Sequence, residues 1–386
     1  MKLSSKALAC GQSPMRKFHP YAVAAAAAGK KIYHLNIGQP DIHTPDALYD
    51  AIHNFRTPVL AYAASPGIPE LISAIEGYYR NIGVQLSESD ILVTTGGSEA
   101  LQIAANCLLD DGDEVIVPEP FYPNYHTFIT TAGGVIHPLH TRPEEGYFYA
   151  DRARIEACIT PKTKALMINT PNNPTGSVMD EETMRQIAEI AVKHDILVIS
   201  DDVYNTLLYD GAKNTCIAAF PGMKERTAVV NSLSKSYAMT GWRIGFVAGP
   251  AELVSAMTKC QENFNACANA PGQYAGTVAL AHPELCEELR KVFENRRRLL
   301  LDGLKGIKGI ESNDPKGAFY VFADISSFGL SSADFCNRLL DEQKVVCIPG
   351  SAFGACGEGF IRIAYTCSDS DLVEAVARIK TFCESL

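Results

Sequence analysis

An amine attacks carbonyl compounds only in its neutral form, and a lysine becomes neutral near physiological pH when it is desolvated. Lys235 sits where that can be arranged. It lies in Ser232-Leu-Ser-Lys-Ser-Tyr-Ala-Met-Thr-Gly-Trp-Arg-Ile-Gly-Phe246, after the apolar run Thr227–Asn231 and just before the run Ile244–Ala248. Strand, loop with lysine, glycine and arginine, then strand: this order puts an amine and the Arg243 guanidinium together at the mouth of a sheet. Alone, Lys235 also reads as a solvated surface charge, so its companions decide.

Four other loops offer groups that could work with it. Thr94-Thr-Gly-Gly-Ser-Glu-Ala-Leu101 joins a strand pattern to a helix pattern. Its glycines let backbone approach a ligand, and a helix start offers free N–H groups to an anion; equally, Ser98 there is a plain N-cap. Asn169-Thr-Pro-Asn-Asn-Pro-Thr-Gly176 is a turn cluster whose adjacent amides can hold a ligand oxygen. Ile196-Leu-Val-Ile-Ser-Asp-Asp-Val-Tyr204 ends a buried run in two carboxylates, which suit a protonated ring nitrogen or a helix cap. Glu119-Pro-Phe-Tyr-Pro-Asn-Tyr125 supplies aromatic faces for core packing or for stacking on a flat ring.

The elements that must carry these loops alternate. Strand patterns at 91–95, 114–118, 165–169, 196–200, 228–231 and 244–248 are separated by helical spacing at 98–109 and 181–194. Continuous apolar strands alternating with helices predict an α/β fold, a mainly parallel sheet covered by helices on both faces. Ligands in such sheets bind beyond the carboxyl ends of the strands, where all these loops lie. Beyond about residue 285 the rhythm changes to a long charged helix (284–303) and shorter strands and helices, a smaller α+β unit. The N-terminal arm is expected to pack on it, making that domain discontinuous: 44–290 for the large domain, 1–43 with 291–386 for the small one.

Composition narrows the function classes. The 386 residues are 47% hydrophobic and 20% charged, with a net charge of −10. That balance argues against a nucleic-acid partner, which needs clustered Lys and Arg. The one basic run, Arg296-Arg-Arg298, falls in a helical pattern and reads as a solvated face. Twelve cysteines are scattered singly, without zinc-type spacing, so reduced thiols in a cytoplasmic protein, with no metal, are the expectation. No run is long and apolar enough to span a membrane.

Taken together and in this order, the loops resemble those of class I/II pyridoxal-phosphate aminotransferases, the fold-type I, aspartate-aminotransferase-like group. The resemblance covers essentially the whole chain and implies residue roles. Lys235 would be joined to pyridoxal 5′-phosphate, and Asp201 would face its ring nitrogen. Tyr204 and Asn173 would bind the ring's phenolic oxygen, and Tyr122 would stack on the ring. Gly97, Ser98, Ser232 and Arg243 would bind the phosphate. Tyr62 would reach the phosphate of a neighbouring subunit, which implies a homodimer with shared active sites. Arg362, in Phe360-Ile-Arg-Ile-Ala364, would bind the substrate α-carboxylate beside the Gly38 backbone and Asn173.

The implied reaction is ping-pong transfer of an amino group from an L-amino acid to a 2-oxoacid. The side-chain pocket departs from the aspartate patterns of this group: Gln261–Pro271 holds no Lys or Arg, and Ser98 stands where one branch has lysine. An aspartate or broad, aromatic-accepting enzyme using 2-oxoglutarate is expected. A carbon–sulfur β-lyase acting on cystathionine-type substrates uses the same lysine and aspartate and is the alternative.

Overall fold

Buried apolar runs set the frame. In the computed structural model, which describes residues 2–11, 13–16, 19–148 and 151–386, the strands in chain order are β1 Tyr33–His34, β2 Ile91–Thr94, β3 Glu114–Glu119 and β4 Val135–His140. β5 Thr163–Asn169, β6 Leu197–Asp201, β7 Thr227–Ser232 and β8 Gly245–Ala248 follow. The last are β9 Glu311–Ser312, β10 Tyr320–Asp324, β11 Val345–Val346, β12 Ile348–Pro349 and β13 Phe360–Ala364.

Strands β2 to β8 form one seven-stranded sheet in the order β2-β8-β7-β6-β5-β3-β4. Only β8 runs antiparallel to its neighbours, β2 and β7; the other adjacent pairs are parallel. Alternate residues face opposite layers. Leu92, Val230 and Val247 pack with the helices Gly97–Leu108 and Ala251–Phe264. Val93, Val229 and Phe246 pack with Pro69–Asn81 and Ala270–Ala281. The expected α/β sheet covered on both faces is what forms. Strand β4 has no counterpart in the sequence reading. It is an edge strand, half exposed, and Pro138 and two histidines break its apolar pattern, which only an edge tolerates.

The C-terminal part builds a four-stranded antiparallel sheet, β12-β13-β10-β9, under the helices Pro283–Lys305, Ser332–Gln343 and Asp369–Glu384. The N-terminal segment joins it directly: β1 pairs in parallel with β11, Tyr33 opposite Val345. The position 290/291 lies inside the unbroken helix Pro283–Lys305, which contributes Leu289, Phe293 and Leu300 to the core of this part.

That helix overturns one expectation. Arg296 and Arg297 are not a solvated face but are 7% and 3% exposed. Arg296 bridges Asp41 and Asp369, and Arg297 bridges Asp210 and Asp314 while donating to the Pro315 carbonyl. The four carboxylates come from loops and a helix end far away in the chain, so the helix pattern alone carries no sign of them. Only Arg298 is exposed as expected. Among the described residues no helix is long and apolar enough to cross a membrane.

Candidate active site

A cavity of about 530 Å³ opens beyond the carboxyl ends of β5, β6 and β7, against β10 and β13 of the C-terminal part. Lys235, Asp201, Tyr204, Asn173, Tyr122, Gly97, Ser98, Ser232, Arg243, Gly38 and Arg362 all line it. Tyr62, expected at the site of a neighbouring subunit, does not line this cavity and stands 87% exposed.

Lys235 is placed by a cap. Ser232 closes β7, and its hydroxyl accepts from the Ser234 amide to start the short helix Leu233–Ser236. The lysine leaves the first turn of that helix, and Nζ donates to the Gly38 carbonyl at 2.6 Å. Burial lowers its pKa to about 8; the Arg243 and Arg362 charges push the same way, and Asp201 opposes them. An amine of that kind is partly neutral near pH 8 and can attack a carbonyl carbon.

Asp201 ends β6 beside Asn169 of β5. Asn169 donates to the Asp201 carbonyl at 2.7 Å and accepts from the Asn173 amide at 2.8 Å, so one side chain sets both strand ends. Burial raises Asp201 to about 6, against the hydrogen bond from Tyr125 Oη at 2.6 Å. A cation opposite would restore full ionisation. Its neighbour Asp202 takes a hydrogen bond from Ser200 at 2.6 Å and lies outside the cavity lining. Strand alternation thus decides between the two carboxylates.

The anion-binding end is built on backbone. Gly96 caps the helix Gly97–Leu108 with φ +83°, and a Cβ there would lie 2.4 Å from Arg243 Nη2. The cap is therefore Gly96, not Ser98, which sits exposed in the first turn. The Gly97 and Ser98 amides have no partner within the helix. Arg243 reaches over them, donating to the Thr95 and Thr240 carbonyls at 3.2 Å, with no carboxylate among the described residues paired to it.

At the other end, Arg362 on β13 is 1% exposed. Its Nη1 donates to Asn173 Oδ1 at 2.9 Å and its Nη2 to the Asn36 carbonyl at 2.6 Å. The rings of Tyr320 and Phe353 lie 4.4 and 5.0 Å from the guanidinium carbon. Its Nε–H has no acceptor among the described residues. A buried arginine with neutral partners and an orphan donor is a site for an anion.

Four further lining residues escaped the sequence reading. Tyr320 Oη lies 2.9 Å from Tyr204 Oη, and its ring so crowds Gly38 that a Cβ there would meet its Oη at 1.9 Å. Tyr125 holds Asp201. Ser13 and Arg16 reach the cavity from the N-terminal segment, and no carboxylate among the described residues pairs with Arg16. The aromatic spacing at 122 and 125 was a usable signal for Tyr125. Nothing local marks the other three. Asn263, Phe264 and Asn265 do not line the cavity, and Phe264 is 63% exposed.

The fold and this constellation define a class. The chain matches the family model "Aminotransferase class I and II" over residues 30–379. It is 38% identical to aromatic-amino-acid aminotransferase 2 of Thermococcus litoralis, with 98% of each chain covered. It is 39% identical to the aspartate aminotransferase of Pyrococcus abyssi over 92% of each. The solved aspartate aminotransferase of Thermus thermophilus with maleate superposes with a TM-score of 0.93 at 35% identity, covering all of both chains. The chain belongs to the class I and II aminotransferases and is a pyridoxal-phosphate-dependent transaminase. The cavity fits that cofactor: a carboxylate for a ring nitrogen, an amine for an aldehyde carbon, and unpaired helix-start amides with an arginine for a phosphate.

Proposed function

We propose that this transaminase takes both dicarboxylic and aromatic L-amino acids, with 2-oxoglutarate as acceptor, and works as a cytoplasmic homodimer. Within it, Lys235, Asp201, Tyr204, Asn173, Tyr122, Gly97, Ser98, Ser232 and Arg243 hold the cofactor, and Arg362 with Gly38 and Asn173 holds the substrate. Residues 44–290 form the cofactor-binding domain, and 1–43 with 291–386 the smaller one. The observation that carries the reading is the buried Arg362 with its unpartnered Nε, across the cavity from the desolvated Lys235.

Pyridoxal phosphate, when bound, supplies the electron sink that makes a substrate's α-proton acidic. The protein's own groups do the rest. Arg362 grips the α-carboxylate through charge-assisted bonds, and Asn173 fixes the guanidinium plane. With the carboxylate held, the Cα–H bond is oriented toward Lys235, whose neutral amine takes the proton. Asp201, buried beside Tyr125, stays ionised once a cationic nitrogen faces it. Tyr122, half buried, closes one side of the cavity.

Substrate breadth rests on Arg16. Ser98 offers no charge, and the Gln261–Pro271 segment has no Lys or Arg, so among the described residues Arg16 is the cation in the lining left for a distal carboxylate. It is exposed and can leave room for a ring. Dimerisation is supported by the exposed apolar stretch Val59, Leu60 and Tyr62, 72%, 63% and 87% exposed. The relatives' activities do not favour the lyase alternative.

A donor panel tests this reading. The visible absorption of the purified enzyme should fall with aspartate, glutamate, tyrosine or phenylalanine and return with 2-oxoglutarate. Pyruvate and ammonia released from cystathionine without an oxoacid would reverse the conclusion.

A further inference from the structure

We propose that Glu119, His140 and Cys356 form a binding site for one divalent transition-metal ion of the zinc type, outside the catalytic cavity. Glu119 ends β3, His140 ends the adjacent edge strand β4, and Cys356 lies in the 3₁₀ turn Ala355–Gly357 of the C-terminal part. Their ligand atoms all lie within 4.8 Å of one another, although the residues are far apart in sequence.

The His140 ring is within hydrogen-bond reach of both other groups. His140 Nδ1 is 2.8 Å from Glu119 Oε2 and 2.9 Å from Cys356 Sγ. One ring nitrogen has a single in-plane position, a proton or a lone pair, so it cannot serve both. The Glu119 carboxylate, in a residue only 5% exposed, faces both His140 Nδ1 and the Cys356 thiol, and among the described residues Oε2 makes no hydrogen bond of good geometry. The other oxygen is held by the Ala355 amide at 2.7 Å, which aims the carboxylate. Gly354 closes over it with φ +117°, and a Cβ there would lie 1.8 Å from Oε1. A buried and aimed carboxylate, an imidazole nitrogen and a thiol converging on one point are a zinc donor set with an open fourth position. Zinc bonds of about 2.0–2.3 Å need ligand separations of roughly 3.4 Å, so the atoms must part by about 0.5 Å. The exposed side chain of His140 can give that much. Binding deprotonates the thiol, its proton passing to solvent, with no change of oxidation state.

None of the three lines the catalytic cavity. The ion would clamp the Gly350–Gly357 turns, which carry Phe353 against Arg362, to the β3 end that leads to Tyr122. Its role is to brace two cavity walls rather than to touch substrate.

The test uses cofactor-loaded enzyme stripped with a chelator, reloaded with Zn²⁺, desalted and analysed for metal. The expected result is one zinc per chain, a raised Tm and a mixed sulfur and nitrogen/oxygen shell by X-ray absorption. His140→Ala and Cys356→Ser should both lose the zinc and the Tm gain while keeping the visible cofactor absorption. No retained zinc in the wild type, or full retention in either folded variant, overturns the proposal.

Discussion

Asn173 Oδ1 accepts a hydrogen bond from Arg362 Nη1 at 2.9 Å, tying the loop after β5 to the middle of β13. The contact joins residues 189 positions apart, and it aims a fully buried cation into the cavity. Each partner fixes what the other can bind. Arg362→Lys keeps the charge but loses the fork, so kcat/KM for every amino acid should fall about 10- to 100-fold, the loss of one or two charged hydrogen bonds. Asn173→Ala should cost a comparable factor for the same reason. Steady-state kinetics with the visible absorption unchanged in Arg362→Lys would check this; unaltered kcat/KM would remove Arg362 from the substrate site.

Asp201 links pH to stability. Its folded pKa of about 6 stands above the ordinary value of 3.8 because it is buried. Between those values the folded apoprotein binds the proton that the unfolded chain has lost, so apoprotein stability falls as pH rises through this window. A cationic nitrogen opposite the carboxylate removes that loss. The Tm gain on adding pyridoxal phosphate should therefore be larger at pH 8 than at pH 5. Asp201→Asn should flatten the difference and raise apoprotein Tm at pH 8, the removed penalty being on the order of 3 kcal/mol. Equal gains at both pH values would refute it.

Lys235 has the opposite sign. Its folded pKa of about 8 lies below 10.5, so the amine becomes neutral as pH rises through 8. Capture of pyridoxal phosphate by the apoenzyme should accelerate about tenfold between pH 7 and pH 9, following the neutral fraction. Stopped-flow absorbance would show it, and borohydride should fix no cofactor to Lys235→Ala.

Arg16 separates substrates. Arg16→Met should lower kcat/KM for aspartate and glutamate about 10-fold or more, and leave tyrosine and phenylalanine within about twofold. A uniform loss across the panel would place Arg16 outside the side-chain pocket.

Arg297 is structural. Removing it leaves the Asp210 and Asp314 carboxylates only Lys316 as a shared partner and takes the donor from the Pro315 carbonyl. Arg297→Met should lower stability by about 2–3 kcal/mol, seen as a lower denaturant midpoint, with kcat of the folded enzyme kept.

The loops were legible because chemistry and backbone rules act locally. A lysine behind a serine cap, a carboxylate at a strand end and glycines at a helix start are all written within a few residues. The mainly parallel sheet was legible, since continuous apolar runs demand burial on both faces, but its strand order was not. The edge strand β4 was not, because an edge permits the proline and histidines that erase its pattern.

What the sequence by itself determined is therefore the reaction class, through the resemblance that Lys235, Asp201, Asn173, Arg243 and Arg362 carry together. What only the tertiary structure decided depends on contacts between distant segments. It brought Tyr320 and Arg16 to the cavity, and buried Arg296 and Arg297 against carboxylates from four other places. It also set Glu119, His140 and Cys356 around one point. Such meetings leave no local trace, because the energy that fixes them comes from packing and charge pairing across the chain, not from the neighbours of any one residue.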